Sequence, residues 1–214
     1  ARRAVRWCRR WASRSNFNRT AMKNNLLSDK LAYNGDTKTR THLHLCSYTV
    51  DRVEEASGDD FEEMKSRFQP DGITWLQIHG LEDTDCTHFG IDFLVMQDIL
   101  NTDHASKVEE HDQYNVIIAK QIMGGEAMQV SLVQGADFVL TFQERDNDFF
   151  DDVMRAIRSN VLKIRTRQSD YLFSVLLNGL ITGYMSVAAA ISDGLEELES
   201  ALLADTGARA IGVQ

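Results

Sequence analysis

Three stretches decide the fold: ITWLQI at 73–78, DFLVMQDILN at 92–101 and YNVIIAK at 114–120. The first and third are short runs rich in β-branched residues, and the turn formers Pro70-Asp71-Gly72 precede the first. Both runs predict strands. Between them, Asp92 stands where a helix N-cap belongs, and Leu94, Val95 and Ile99 form an apolar stripe. That pattern predicts a helix from Phe93 to about Asn101.

Working outward, Lys30–Tyr33 reads as a short extended piece before the turn Asn34-Gly35-Asp36. Thr41–Val50 predicts a strand with Leu43 and Leu45 on one face and His42, His44 and Cys46 on the other. Ser57–Phe68 has helical spacing through Phe61, Met64 and Phe68. Val130–Val133 and Phe138–Phe142 flank Gln134-Gly135-Ala136-Asp137 and predict a hairpin. Asp151–Ser159 predicts a helix with Val153, Met154 and Ile157 inward. The remainder reads as a long helix from about Lys163 and a second helical segment opening near Ser192, with Leu195, Leu198 and Leu202 on one side. Strands and helices without strict βαβ alternation point to an α+β fold with a mixed sheet and a helical C-terminal layer.

The chain has 214 residues and a net charge of −9, unevenly placed. Residues 1–28 carry eight bases and no acid, which leaves the rest with 15 bases against all 32 acids, a net of −17. A body this acidic repels nucleic-acid backbones and attracts cations, so nucleic-acid binding by the folded part is excluded. The basic arm lacks the apolar core of a secretory signal and reads as a poorly ordered terminus. Cys8, Cys46 and Cys86 make no paired motif, so neither a disulfide framework nor a zinc knuckle is supported. From Tyr171 to Ser192 no charge occurs for 22 residues, long enough for a membrane span. Its polar residues and the acids after it favour a long, mostly buried helix of a soluble domain.

No GxSxG, P-loop, HExxH or GxGxxG motif is present, so no catalytic residue is assigned and the chain does not read as an enzyme. His42, His44 and Cys46 share a strand face and have the donor types of a soft-metal site, although a plain polar face explains them as well. Asp146, Asp148, Asp151 and Asp152 cluster near a helix start, which helix-dipole compensation largely accounts for. They fail the pattern of a calcium-binding loop. Asp98 borders the apolar stripe of its helix, where lost hydration makes a carboxylate favour a nearby cation. That cation is either a basic side chain of the same chain or a bound ion.

The residues ITWLQIHGLED, FGIDFLVMQDILNTDHASKVEEHDQYNVIIAK, QVSLVQGADFVLTFQE, FFDDVMRAIRS and KIRTRQSDYLFSVLLN resemble, in that order, the CorA magnesium and cobalt transporter family. The resemblance covers about Leu31 to Leu203. It implies a cytoplasmic α/β/α sandwich at 29–191, preceded by the arm at 1–28 and followed at 192–214 by the start of a long C-terminal stalk helix. It further implies two membrane spans and a Gly-Met-Asn loop beyond Gln214. The full-length protein would then be a homopentamer in the cell (inner) membrane, with this part on the cytoplasmic side. Its partners would be divalent ions and copies of itself.

In such a channel, Mg²⁺ bound between protomers holds the pore shut; Co²⁺ or Zn²⁺ are further candidate ions. Matched position by position, the family's ion-binding acids fall on Gln97, Asp98 and Asn178. Only Asp98 keeps a carboxylate, so it is expected to carry the site, with Gln97 and Asn178 as weaker oxygen donors. Two alternatives accompany this reading. One is the zinc-transporting branch of the family, in which His42, His44 or His104 would matter. The other is an oligomerising module that has lost metal sensing. The sequence also departs from the family where Phe93 and Ala105 replace the usual prolines, and in the tail Ala204–Gln214, whose Gly207 and Gly212 do not predict a continuing stalk.

Overall fold

The computed structural model describes residues 31–82, 84, 89–123 and 125–211, with side-chain surroundings as far as residue 203. The expectations for the basic arm, for Lys30, and for Cys8 and Cys86 lie outside the described residues.

Seven strands form one sheet: β1 (His42–Tyr48), β2 (Val53–Gly58), β3 (Ile73–His79), β4 (Lys107–Glu110), β5 (Asn115–Met123), β6 (Glu126–Gln134) and β7 (Phe138–Gln143). They lie in the order β2-β1-β3-β7-β6-β5-β4. Every neighbouring pair is antiparallel except β3 and β7, which run parallel with Thr74 opposite Phe138. The helices are α1 (Phe61–Ser66), α2 (Phe93–Leu100), α3 (Asp151–Arg158) and α4 (Ser169–Ile211), with a 3-10 turn at Val161–Thr166. The described residues up to Ile181 belong to one compact unit and those from Thr182 to a second.

The two-residue period of the strands sorts their side chains into two cores. On one face Leu43, Leu45, Leu76, Ile78, Leu140 and Phe142 pack against Met64 of α1 and Val95, Met96, Ile99 and Leu100 of α2. On the other, Cys46, Tyr48, Trp75, Leu132 and Val139 pack against Val153, Met154 and Ile157 of α3 and Leu172, Leu176 and Leu180 of α4. The result is the expected mixed-sheet sandwich followed by a long C-terminal helix. Each fully buried Leu or Ile contributes about 1.5–3 kcal/mol, so both helical layers are held chiefly by apolar burial. Side-chain caps fix the helix entries: Asp60 accepts from Glu63 N at 2.9 Å and Asp92 from Leu94 N at 2.8 Å.

Several boundaries differ from the sequence reading. Ser57 and Gly58 end strand β2 rather than opening a helix, and β4 was not expected. Both are edge strands of the sheet, and their sequences, VEEASG and KVEE, carry charges in place of an apolar alternation. The C-terminal helix starts at Ser169, not Lys163, because Asn160, Leu162 and Lys163 hold left-handed backbone (φ 50°, 52° and 57°). It then runs unbroken through Ser192 and Gly207 to Ile211. The helix was expected to be mostly buried, but between Ile181 and Ser192 no side chain is. Its buried stripe ends at Leu180, while Met185, Ile191 and Leu195 are exposed. The stretch Ser169–Leu203 is long and apolar enough to cross a membrane by length and composition alone.

Candidate cation site around Asp98

Asp98 lies in the last turn of α2, where the helix dipole is negative and no basic residue of the helix itself offsets it. The sequence supplies the compensation from outside the helix. On edge strand β4, Lys107 pairs with Ile118 of β5, and Ile118 faces the core beneath α2. Lys107 therefore points to the same side and reaches Asp98 Oδ2 through Nζ. The same ammonium donates to Glu109 Oε1 at 2.8 Å. His104, in the connection between α2 and β4, places Nε2 3.4 Å from Asp98 Oδ1. Gln129, buried on β6, donates to the backbone oxygens of Ile99 at 2.8 Å and Asp98 at 3.4 Å, which ties the end of α2 to the sheet.

Electrostatics follow this geometry. Burial pulls the Lys107 ammonium down, but its hydrogen bonds and ion pairs with Asp98 and Glu109 outweigh that and raise it overall. Glu109 is held below the usual carboxylate range, first by the hydrogen bond from Lys107. The cation that Asp98 was expected to need is thus present within the chain.

Gln97 is half-buried beside Asp98 on α2. Asn178 is exposed on α4. Because α2 and α4 pack on opposite faces of the sheet, Asp98 and Asn178 of one chain do not meet. Among the described residues, no three His, Cys, Asp or Glu side chains are gathered as metal ligands. One protomer alone therefore fits a Mg²⁺ ion only in part: of the three expected ligands only Asp98 is a carboxylate, and it is already ion-paired with Lys107. Sequence reasoning missed Lys107, whose strand carried no apolar signal, and its alignment beneath α2 follows only from the β4–β5 register.

Of the other expected ligands, His44 donates to or accepts from Ser57 Oγ at 2.7 Å through Nδ1, and His42 Nδ1 lies 2.8 Å from Asp59 Oδ1. Cys46 on the same strand face is fully buried in the second core, and burial pushes its thiol up to about 12. That thiol is inert, so the His42-His44-Cys46 face does not act as one ligand set.

Residues 70–212 match the family described as CorA-like Mg²⁺ transporter protein. The chain belongs to the CorA family. It is 31% identical over 196 residues to the cobalt/magnesium transport protein CorA of Thermotoga maritima, covering 86% of this chain and 56% of that protein. The chain thus spans little more than half the length of this relative. The CorA magnesium transporter of Methanocaldococcus jannaschii superposes with a TM-score of 0.55 at 19% identity, over 76% of this chain and 51% of that one. The cytoplasmic domain of ZntB from Vibrio parahaemolyticus gives 0.53 at 11% identity, over 72% and 64%. Both show likeness of fold.

Proposed function

We propose that this chain is the cytoplasmic regulatory part of a Mg²⁺/Co²⁺ transport channel, acting by binding rather than by catalysis. Divalent ions bound between protomers at Asp98 favour the closed pore. The observation that carries this reading is the placement of Asp98 and Asn178 on opposite outer layers of one sandwich. Only two neighbouring copies can bring such residues together, so an ion held by both favours one arrangement of the ring over another. The body's net charge of −17 supports it, because acidic neighbours repel until a divalent ion lies between them. The reading places the full-length homo-oligomer, a pentamer as in the resemblance, in the inner membrane, with residues 29–191 as the sensing domain and 192–214 opening the stalk.

Thermal unfolding tests it. Mg²⁺ at ten times its Kd stabilises by about 1.4 kcal/mol. For a chain of this size that is a rise of about 3–6 °C in Tm. Asp98→Ala should remove most of the rise. Indifference of the wild type to Mg²⁺, Co²⁺ and Zn²⁺ alike would instead favour an oligomerising module without metal sensing. The Lys107 ion pair at Asp98 is the specific observation behind that second reading. The imidazole of His104 beside Asp98 supports a third, the zinc-transporting branch. A Zn²⁺ response larger than that to Mg²⁺, lost in His104→Ala, would establish it.

A further inference from the structure

A cavity of about 360 Å³ opens at the edge of the second core, well away from Asp98. Strands β1 and β3 run antiparallel with His42 opposite His79 and His44 opposite Gln77, so all four side chains point to the same face. The loop after β7 brings Asp146 over them, and α3 closes the other side with Asp151, Arg155 and Arg158.

Two features distinguish this cavity from a solvated polar face. First, His79 is buried, its side chain 7% exposed, yet its Nδ1 has no hydrogen-bond partner. A buried, unpartnered ring nitrogen is costly to keep unless something occupies the space before it. Second, Asp146 Oδ1 lies 3.3 Å from that nitrogen without forming a hydrogen bond. Two ligands at metal–nitrogen and metal–oxygen distances near 2.1 Å and a tetrahedral angle stand roughly 3.4 Å apart. The pair is therefore spaced as adjacent ligands of one ion.

The charges in the cavity favour a cation. Arg158, on the cavity wall, is already engaged by both carboxylate oxygens of Glu55, at 2.7 Å each, and Arg155 is paired with Asp152. That leaves the carboxylates of Asp146 and Asp151 facing the imidazoles. Burial holds His79 and His44 below the ordinary imidazole value, so both rings are neutral at pH 7, the form that ligates metals.

We propose that His79 Nδ1 and Asp146 Oδ1 form a second cation site, specific for imidazole-preferring transition ions such as Co²⁺, Ni²⁺ or Zn²⁺ rather than Mg²⁺. Because no third His, Cys, Asp or Glu is already in place among the described residues, water completes the coordination. A nitrogen donor strengthens binding in the order Co²⁺, Ni²⁺, Cu²⁺ and adds little for Mg²⁺, which demands oxygen ligands and gives up its waters reluctantly.

The test is Co²⁺ binding by the full chain in excess Mg²⁺, read by visible absorption and by calorimetry. One Co²⁺ per chain is expected to bind under these conditions. Asp146→Asn, at a side chain 81% exposed and thus harmless to folding, should weaken it at least tenfold. His79→Gln should do the same, and Asp98→Ala should leave it unchanged. Absence of Co²⁺ uptake in excess Mg²⁺, or uptake unaffected by Asp146→Asn, would overturn the proposal. Loss of Co²⁺ binding in Asp98→Ala with retention in Asp146→Asn would overturn it too, by assigning the ion to the other site. The Asp98 variant keeps this outcome separate from the fate of the regulatory reading.

Discussion

If a divalent ion binds at Asp98 as proposed, Lys107 competes with it for the carboxylate, and Lys107→Met turns that competition into a measurement. Nζ of Lys107 bonds Asp98 Oδ2 and Glu109 Oε1, and the three side chains are between 20% and 36% exposed. Pairs this accessible are worth up to about 1 kcal/mol each. Removing both should therefore cost up to about 2 kcal/mol in metal-free buffer. For a chain of 214 residues that lowers Tm by up to about 8 °C. The response to Mg²⁺ should move the other way. With the internal ammonium gone, Asp98 and Glu109 keep only the imidazoles of His104 and His111 beside them, and an added ion no longer has to displace a lysine. The Mg²⁺-induced rise in Tm should then exceed that of the wild type at every concentration below saturation. Differential scanning fluorimetry across a Mg²⁺ series measures both effects on one plate. A variant that loses stability but shows an equal or smaller Mg²⁺ response would refute the competition and leave Lys107 a purely structural partner.

Two further outcomes follow from local geometry. Arg158 holds Glu55 below its ordinary value of 4.5, first by a hydrogen bond and then by charge. A lowered carboxylate stabilises the fold above its unfolded pKa, and the contribution fades as pH falls through the lowered folded value. Glu55→Gln should thus cost up to about 1 kcal/mol at neutral pH and flatten the acid limb of a stability–pH profile below pH 4.5; an unchanged acid limb would count against the pair. Leu162 is 77% exposed and held at φ 52°. That backbone costs a branched residue about 1–2 kcal/mol, against about 0.5–1 kcal/mol for the entropy of glycine. Leu162→Gly should therefore be neutral or raise Tm by a few degrees, and a clear fall would show that the side chain packs in a way its exposure does not reveal.

What the sequence discloses depends on how local each signal is. The central strands were readable because burial on both faces demands runs such as ITWLQI, and α2 because Asp92 caps an apolar stripe. Strands β2 and β4 were not, since an edge strand answers to solvent rather than to a core and carries charges that discourage pairing with other chains. The long helix was broken too early in the reading because Asp193, Gly194 and Gly207 weaken helix propensity without ending the helix. At the sites the division is the same. Asp98 was visible from its place on a helix face. Lys107 and His79 were not, because each reaches its partner through strand register, and register is fixed by pairings with residues remote in sequence. Asn178 was placed by resemblance, and its separation from Asp98 by the thickness of the sheet emerges only from the fold.

The lone parallel contact, β3 against β7, has a bearing on how the domain assembles. On one side of it β2, β1 and β3 pair with chain neighbours, and on the other β4 to β7 do likewise. Each half can zip from its own turns, whereas the junction must close the longest loop in the sheet and carries the largest entropic delay. Trp75 sits on that junction, fully buried, with Nε1 3.2 Å from Thr141 Oγ1 across it. Its indole is a built-in clock for the last seam: in refolding of a chain with Trp7 and Trp11 replaced by Phe, its emission should shift to the blue after the bulk of the β signal has formed. Burial of Trp75 ahead of that signal would mean that the two halves meet before either is complete.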